Sequence, residues 1–415
     1  MTERPVVRVY QEDWWPFQNL PNALRRVEQE TGIKTELSWD VIGVGTIDTM
    51  FDKMTASFAD DEPPYDLVCT DEIMLQRYAS SGRVQALDDF IARDNYDIGA
   101  VTPATNTVTS CNDQTIGLPC VNVTNMLLYR RDLFDQHGLS APNTFAEVSE
   151  IGAALQEAVR ADGKSDFFGF ATRGADGGGH AVWTISSFMR SHGARWFDET
   201  GRPAVQTDRH REALTTYVDL LRRVGPPEQP DMSFPELTRD YRAGRVAMIL
   251  EVGMEYANIL HDDPDLAERT GVALIPAGPA GRFSNLYCPP FAIPARSRVN
   301  DEAWEVAKLL CSPKQLLEDG ITANALETSS LPVLYSPEFD RHYRHDLLSV
   351  ARASRAISFE ERPFSSLGLD ACVVVGNATS GALRGTLSVD DALAAMQSGL
   401  DALAAKAPAQ SASHP

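Results

Sequence analysis

Between Val6 and Asp71 the chain alternates between short β-branched runs and helical stretches, which restricts its fold more than any other feature. Residues 6–11 (VVRVYQ) read as a strand, 20–31 as a helix stopped by Gly32, and 34–39 as a second strand. A helix over 46–58 follows, then Pro63-Pro64 and a third strand, YDLVC, that ends in Thr70-Asp71-Glu72. Strands alternating with helices mark a largely parallel sheet with helices on both faces. Ligands of such sheets bind outside the carboxyl ends of the strands. The residues at the strand tips therefore carry most of the functional information: Trp14 and Trp15 after the first, Asp40 after the second, Asp71 after the third.

A chain of 415 residues exceeds one comfortable core, so two lobes are expected. Its apolar fraction of 43% and charged fraction of 23% are those of a globular protein. No apolar run reaches the roughly 18 residues that a membrane span requires. Met1-Thr2-Glu3-Arg4-Pro5 does not lead into an apolar signal core, which leaves a processed chain or a cytoplasmic one. A net charge of −21 argues against nucleic acid and anionic membrane surfaces as partners. Six cysteines are scattered without a CxxC pair or metal-ligand spacing. Cys111 and Cys120 flank a short loop and could pair in an oxidising compartment; buried free thiols are the alternative.

Residues 114–148 (QTIGLPCVNVTNMLLYRRDLFDQHGLSAPNTFAEV) carry a second signal. Gly117 and Pro119 suit a stiff extended crossing, and 121–129 reads as a strand interrupted by Asn122, Thr124 and Asn125. A short helical turn stops near Gly138, and Thr144 is placed to cap a new helix ahead of Glu147. The pattern GLP, then LLYRRDLF, then HGL-x-x-P-x-TFAEV resembles extracellular solute-binding proteins of bacterial ABC importers. The branch is the carbohydrate-binding group that includes the maltose-binding protein. That group usually reads Tyr-Asn-Lys-Asp where this chain has Tyr129-Arg130-Arg131-Asp132, a departure on a surface turn.

Further segments are similar to the same family: SGRVQALD at 81–88, HGARWFD at 192–198, YRAGRVAM at 241–248 and IPAGP at 275–279. The resemblance implies a two-lobed α/β fold of the type II periplasmic-binding-protein kind, mixed sheets flanked by helices, with three interlobe crossings. Residues 1–120 with 288–328 form the first expected lobe, 121–287 with 329–405 the second, and 406–415 a flexible tail. It also implies a processed, periplasmic or extracytoplasmic protein, a monomer, that captures a solute in an interlobe cleft by hinge closure. The loaded form is then delivered to ABC transporter permease subunits.

Trp14-Trp15-Pro16-Phe17 places adjacent aromatic faces at a strand tip, where sugar C–H patches stack well; a lobe-capping aromatic cluster is the alternative. Asp13 precedes it, and the Asp71 carboxylate can accept two hydroxyl hydrogens or cap the helix after it. Asn122 and Thr124 share one face of the hinge strand by alternation. Arg173, Trp183, Trp196, Glu251, Tyr287 and Arg362 complete the candidate set from the second lobe and the later crossings. Trp and Tyr are equally at home in cores and Arg on surfaces. Gly177-Gly178-Gly179 could bring backbone amides to a ligand, or form a plain loop.

Enzyme signatures are missing. Gly43-Val44-Gly45 lacks a third glycine for a dinucleotide loop, and there is no P-loop, HExxH or GxSxG. His342 and His345 stand three apart without companions that would complete a metal site, so no metal or cofactor is expected. The reading is a non-catalytic binding protein for a neutral sugar or sugar alcohol. An acidic sugar derivative is the second ligand class. A polyamine is the third, requiring several of Glu12, Asp13, Asp40, Asp71 and Glu251 to converge. The rival from another class is a carbohydrate-active enzyme, which needs two carboxylates at a defined separation.

Overall fold

The computed structural model describes residues 5–13, 15–41, 47–361 and 367–406. By its contacts the chain forms two compact units: 1–123, 286–352 and 364–366 in the first, 124–285, 353–363 and 367–415 in the second. Among the described residues it passes from one unit to the other at 123–124, 285–286 and 352–353.

In the first unit, the Val6–Asp13 strand lies between Lys34–Val41 and Leu67–Cys69, parallel to both. The Leu20–Thr31 helix that connects the first two carries Pro21 in its first turn and ends at Gly32, whose φ of 70° requires a residue without a Cβ penalty. The sheet continues through Pro290–Ala292, antiparallel to Leu67–Cys69, and then Leu118–Pro119. Parallel pairing sends the ends of Val6–Asp13 and Leu67–Cys69 to the same edge. That edge is where Glu12, Asp13 and Asp71 stand.

The second unit is built on Val123–Arg130, apart from its first residue. This strand pairs antiparallel with Val246–Val252 and with Thr270–Leu274, and Phe168–Ala171 runs parallel to Val246–Val252. Helix Phe145–Ala161 packs on Phe168–Ala171 and Val246–Val252, Asp208–Val224 on Phe168–Ala171, and Gly368–Arg384 and Val389–Ala404 pack on Asp208–Val224. Thr144 caps the first of them, accepting from the Glu147 amide at 3.1 Å, and the Glu147 carboxylate accepts from the Asn143 amide. The Gly368–Arg384 helix follows residues 362–366, which include the candidate Arg362 and, like 407–415 of the expected tail, lie outside the described residues.

The expected lobe boundaries differ from these units. Residues 121–123 and 286–287 fall in the first unit, and so does the stretch 329–352, expected in the second. The reason is packing on the Pro313–Thr322 helix. Tyr343 donates its hydroxyl to the Gly320 carbonyl, and the Phe339 ring occupies the space that a Cβ at Gly320 would need. Arg352 ties back to the Leu334 carbonyl at 2.8 Å.

Cys111 and Cys120, weighed as a disulfide, stand as free thiols and have different neighbours. Cys111 is half-exposed in a two-residue hairpin strand, whereas Cys120 is buried beside the Pro289 carbonyl. His342 ends one helix and His345 begins another, so they do not share a helical face.

Candidate functional site

At the strand edge of the first unit, Glu12 is the last residue but one of the Val6–Asp13 strand and is only 4% exposed. The Tyr287 hydroxyl donates to both of its carboxylate oxygens, at 3.3 and 3.2 Å. Burial, with Asp71 adding repulsion, pushes the Glu12 carboxyl up to about 8, so it carries its proton at neutral pH. Burial beside Glu12 likewise raises the Tyr287 phenol well above its ordinary value. Asp71 is buried and caps the Glu72–Ala79 helix, accepting from the amides of Ile73 and Met74 at 2.7 and 3.4 Å. Beneath this group Glu72 accepts from the Cys288 amide at 3.3 Å. Asp13 accepts from Gln18 at 2.9 Å.

Asp40 does not join these acids. Tyr10 and Lys53 bind its carboxylate at 2.8 and 2.6 Å. Its partial burial works to raise the carboxyl, but these two partners outweigh it and hold the group low. Trp14 lies outside the described residues; Trp15 opens the 3-10 turn Trp15–Phe17. Asn122 is turned into the core, where its amide donates to the Thr102 and Thr105 hydroxyls, at 3.4 and 2.5 Å. Its role is to tie the strand to the Pro103–Val108 helix.

In the second unit the expected residues Arg173 and Glu251 meet. Their strands, Phe168–Ala171 and Val246–Val252, are parallel neighbours, so both side chains leave at the same end. The guanidinium grips the carboxylate with two bonds of 2.5 and 2.7 Å, while its face lies 5.5 Å from the centre of the Phe234 ring. With side-chain exposures of 12% and 1%, this is a buried, bidentate pair. The neighbouring Glu255 is pushed up to about 7, by burial first and then by Glu251. A third arginine bond, 3.4 Å, goes to the Gly179 carbonyl. Of the glycine loop, Gly178 packs against Leu369 and Val373, whereas the space beside Gly179 is open.

Thr124 is buried and accepts from Arg355 at 3.5 Å. Trp183 is almost buried in the Ala181–Ser191 helix, its carbonyl accepting from Asn125. Trp196 corrects an expectation: its ring is fully buried, so it offers no face to a solute. Its backbone amide instead donates to Glu361 at 2.8 Å, fixing the segment that precedes Arg362, itself outside the described residues. Burial pushes Glu361 up to about 7, even with Arg190 at 3.5 Å.

One residue of the second unit escaped sequence reasoning. Asn285 is 2% exposed, and neither its side-chain nitrogen nor its oxygen has a partner. Ser187 holds its backbone amide at 2.8 Å, so its position is fixed while the side-chain amide stays open. Buried amides are nearly always paired, which makes this one a waiting donor and acceptor. The only signal was an amide set within a strand of otherwise buried residues, the same kind of interruption noticed at Asn122 and Asn125.

The chemistry available is hydrogen bonding: acids and amides that accept from or donate to hydroxyls, positioned at strand ends. Among the described residues no three His, Cys, Asp or Glu side chains are grouped to hold a metal, and no described helix is long and apolar enough to cross a membrane.

Three comparisons place the chain. It is 24% identical over 395 residues, 90% of this chain and 87% of the relative, to a mannitol-binding protein of Pseudomonas aeruginosa. Its fold matches maltose-bound MalE3 of T. maritima with a TM-score of 0.85 at 20% identity, covering 96% of this chain and 99% of that one. It also matches an ABC transporter solute-binding protein of Agrobacterium vitis S4 with bound D-mannitol, with a TM-score of 0.82 at 20% identity over 97% and 100% of the two chains. The fold is thus the two-lobe, mixed-sheet α/β architecture of type II periplasmic binding proteins. The model of the bacterial extracellular solute-binding proteins matches residues 22–316, and the chain belongs to that family.

Proposed function

We propose that the protein is the solute-binding component of an ABC importer and that it captures a neutral polyol or sugar, with a hexitol such as mannitol first in line. The observation that carries this reading is the match, along 90% of the chain, to a mannitol-binding protein. The local chemistry supports it. A protonated Glu12 and an open Asn285 amide each both donate and accept, as hydroxyl groups do. The Arg173–Glu251 pair neutralises its own charge and so makes no net ionic demand. The protein works outside the cytoplasm, in a periplasm or on the extracytoplasmic side of the cell membrane, and hands its cargo unchanged to permease subunits. It makes and breaks no bond in that cargo.

A thermal-shift panel tests the class. Mannitol, ribitol, tagatose and maltose are compared with a sugar acid and with spermidine. A solute that binds only the folded chain stabilises it by about 2.7 kcal/mol at a hundredfold excess over Kd. A neutral polyol or sugar is expected to raise the melting temperature. A shift from spermidine alone would overturn the neutral-solute reading. The buried acids Asp71 and Glu72 would favour a cation.

Asn285→Leu gives a sharper test. The unpaired amide costs the folded protein about 1–3 kcal/mol, so its removal is expected to leave stability unchanged or raise it. Affinity for the captured solute is expected to fall at least about tenfold, equivalent to about 1.4 kcal/mol. Loss of stability with unchanged affinity would mean that Asn285 holds a buried water instead.

A further inference from the structure

Three buried thiols meet in the first unit. Cys120 lies two residues beyond Leu118, whose carbonyl accepts from the Cys311 thiol, and shares the Pro289 carbonyl with Cys69. Cys69 and Cys120 both point at the Pro289 carbonyl, at 3.5 and 3.4 Å, and Cys311 points at that of Leu118, at 3.5 Å. The backbone decides which two can join. Cys69 pairs with Phe291, Phe291 with Leu118, and Pro290 with Pro119, so the Pro290–Ala292 strand runs between Cys69 and Cys120. Two strand spacings amount to about 9.5 Å, beyond the roughly 7 Å that a disulfide spans between Cα atoms. No strand separates Cys120 from Cys311, which caps the C-terminal end of the Asn300–Leu310 helix.

We propose that Cys120 and Cys311 are a disulfide-forming pair, free as the structure stands and closed in an oxidising compartment, with Cys69 left as a thiol. The family's extracellular setting supplies that condition. With glutathione disulfide as oxidant, the Cys120 thiolate attacks one of its sulfurs, and one glutathione leaves with the proton. The Cys311 thiolate then attacks the Cys120 sulfur of the mixed disulfide and releases the second glutathione. Two protein thiols are oxidised and one disulfide is reduced. The resulting bond would pin the end of that helix to the segment leading into the Val123–Arg130 strand.

The test refolds the full chain in a buffer of reduced and oxidised glutathione, then counts thiols under denaturing conditions and maps peptides by mass spectrometry. The expected count falls from six to four, one linked peptide joins Cys120 to Cys311, and Tm rises by several degrees over the reduced protein. Cys69→Ser is expected to keep the link and Cys311→Ser to abolish it; the wild-type map decides by itself if either variant fails to fold. Six remaining thiols, a Cys69–Cys120 link, or glutathione adducts alone would overturn the assignment.

Discussion

Arg173→Met is expected to cost about 3–5 kcal/mol of stability, because it leaves the Glu251 carboxylate buried without its counter-charge. Glu251 is the deeper partner, at 1% side-chain exposure, and its remaining bond, to the Val252 amide at 2.7 Å, does not neutralise it. Chemical denaturation of wild type and variant measures the difference. Combining Arg173→Met with Glu251→Leu supplies the control: the double variant is expected to be more stable than Arg173→Met alone, since no orphan charge remains. If the single variant loses less than about 1 kcal/mol, the pair is solvated and not the buried element described here.

Glu12→Gln carries the second large effect, and its sign depends on pH. The Glu12 carboxyl is pushed up to about 8 in the folded protein, chiefly by burial, from an ordinary value of 4.5. Between those two values the unfolded chain has released this proton while the folded chain retains it. Stability therefore falls as pH rises through that window, and the full penalty is present above pH 8. Glutamine keeps the shape and cannot ionise. The variant is expected to match wild type near pH 4 and to exceed it near pH 9, by up to about 5 kcal/mol. Melting curves of both proteins across that range test this. Other raised acids, Glu255 and Glu361 among them, slope both profiles alike, so the difference isolates Glu12. Equal stability at pH 9 would contradict a buried, protonated Glu12.

What the sequence revealed was local. Alternating runs from Val6 to Asp71 specified a parallel sheet because strand and helix periodicities differ within a few residues, and Gly32 and Asp71 mark their boundaries by turn and cap chemistry. Arg173 and Glu251 could each be named at a strand tip, but their pairing depends on strand neighbours far apart in the chain. Trp196 shows the opposite case: an aromatic beside a Gly-Ala turn looks the same in sequence whether it faces solvent or core. The return at 352–353 lies later than the expected 328–329, because contacts distant in sequence, Phe339 and Tyr343 against Gly320 and Arg352 on the Leu334 carbonyl, assign that stretch to the first unit. Asn285 was invisible for a related reason. An unpaired amide is recognised by counting its partners, and partners are not written in the sequence.

Calorimetric titration of the wild-type protein with D-mannitol, followed by NMR of the recovered solute, tests the central claim most directly. Saturable binding at one site per chain, mannitol recovered unchanged, and weaker binding by Asn285→Leu are expected. Absence of binding to mannitol and to every other neutral polyol or sugar, or a solute returned chemically altered, would contradict it.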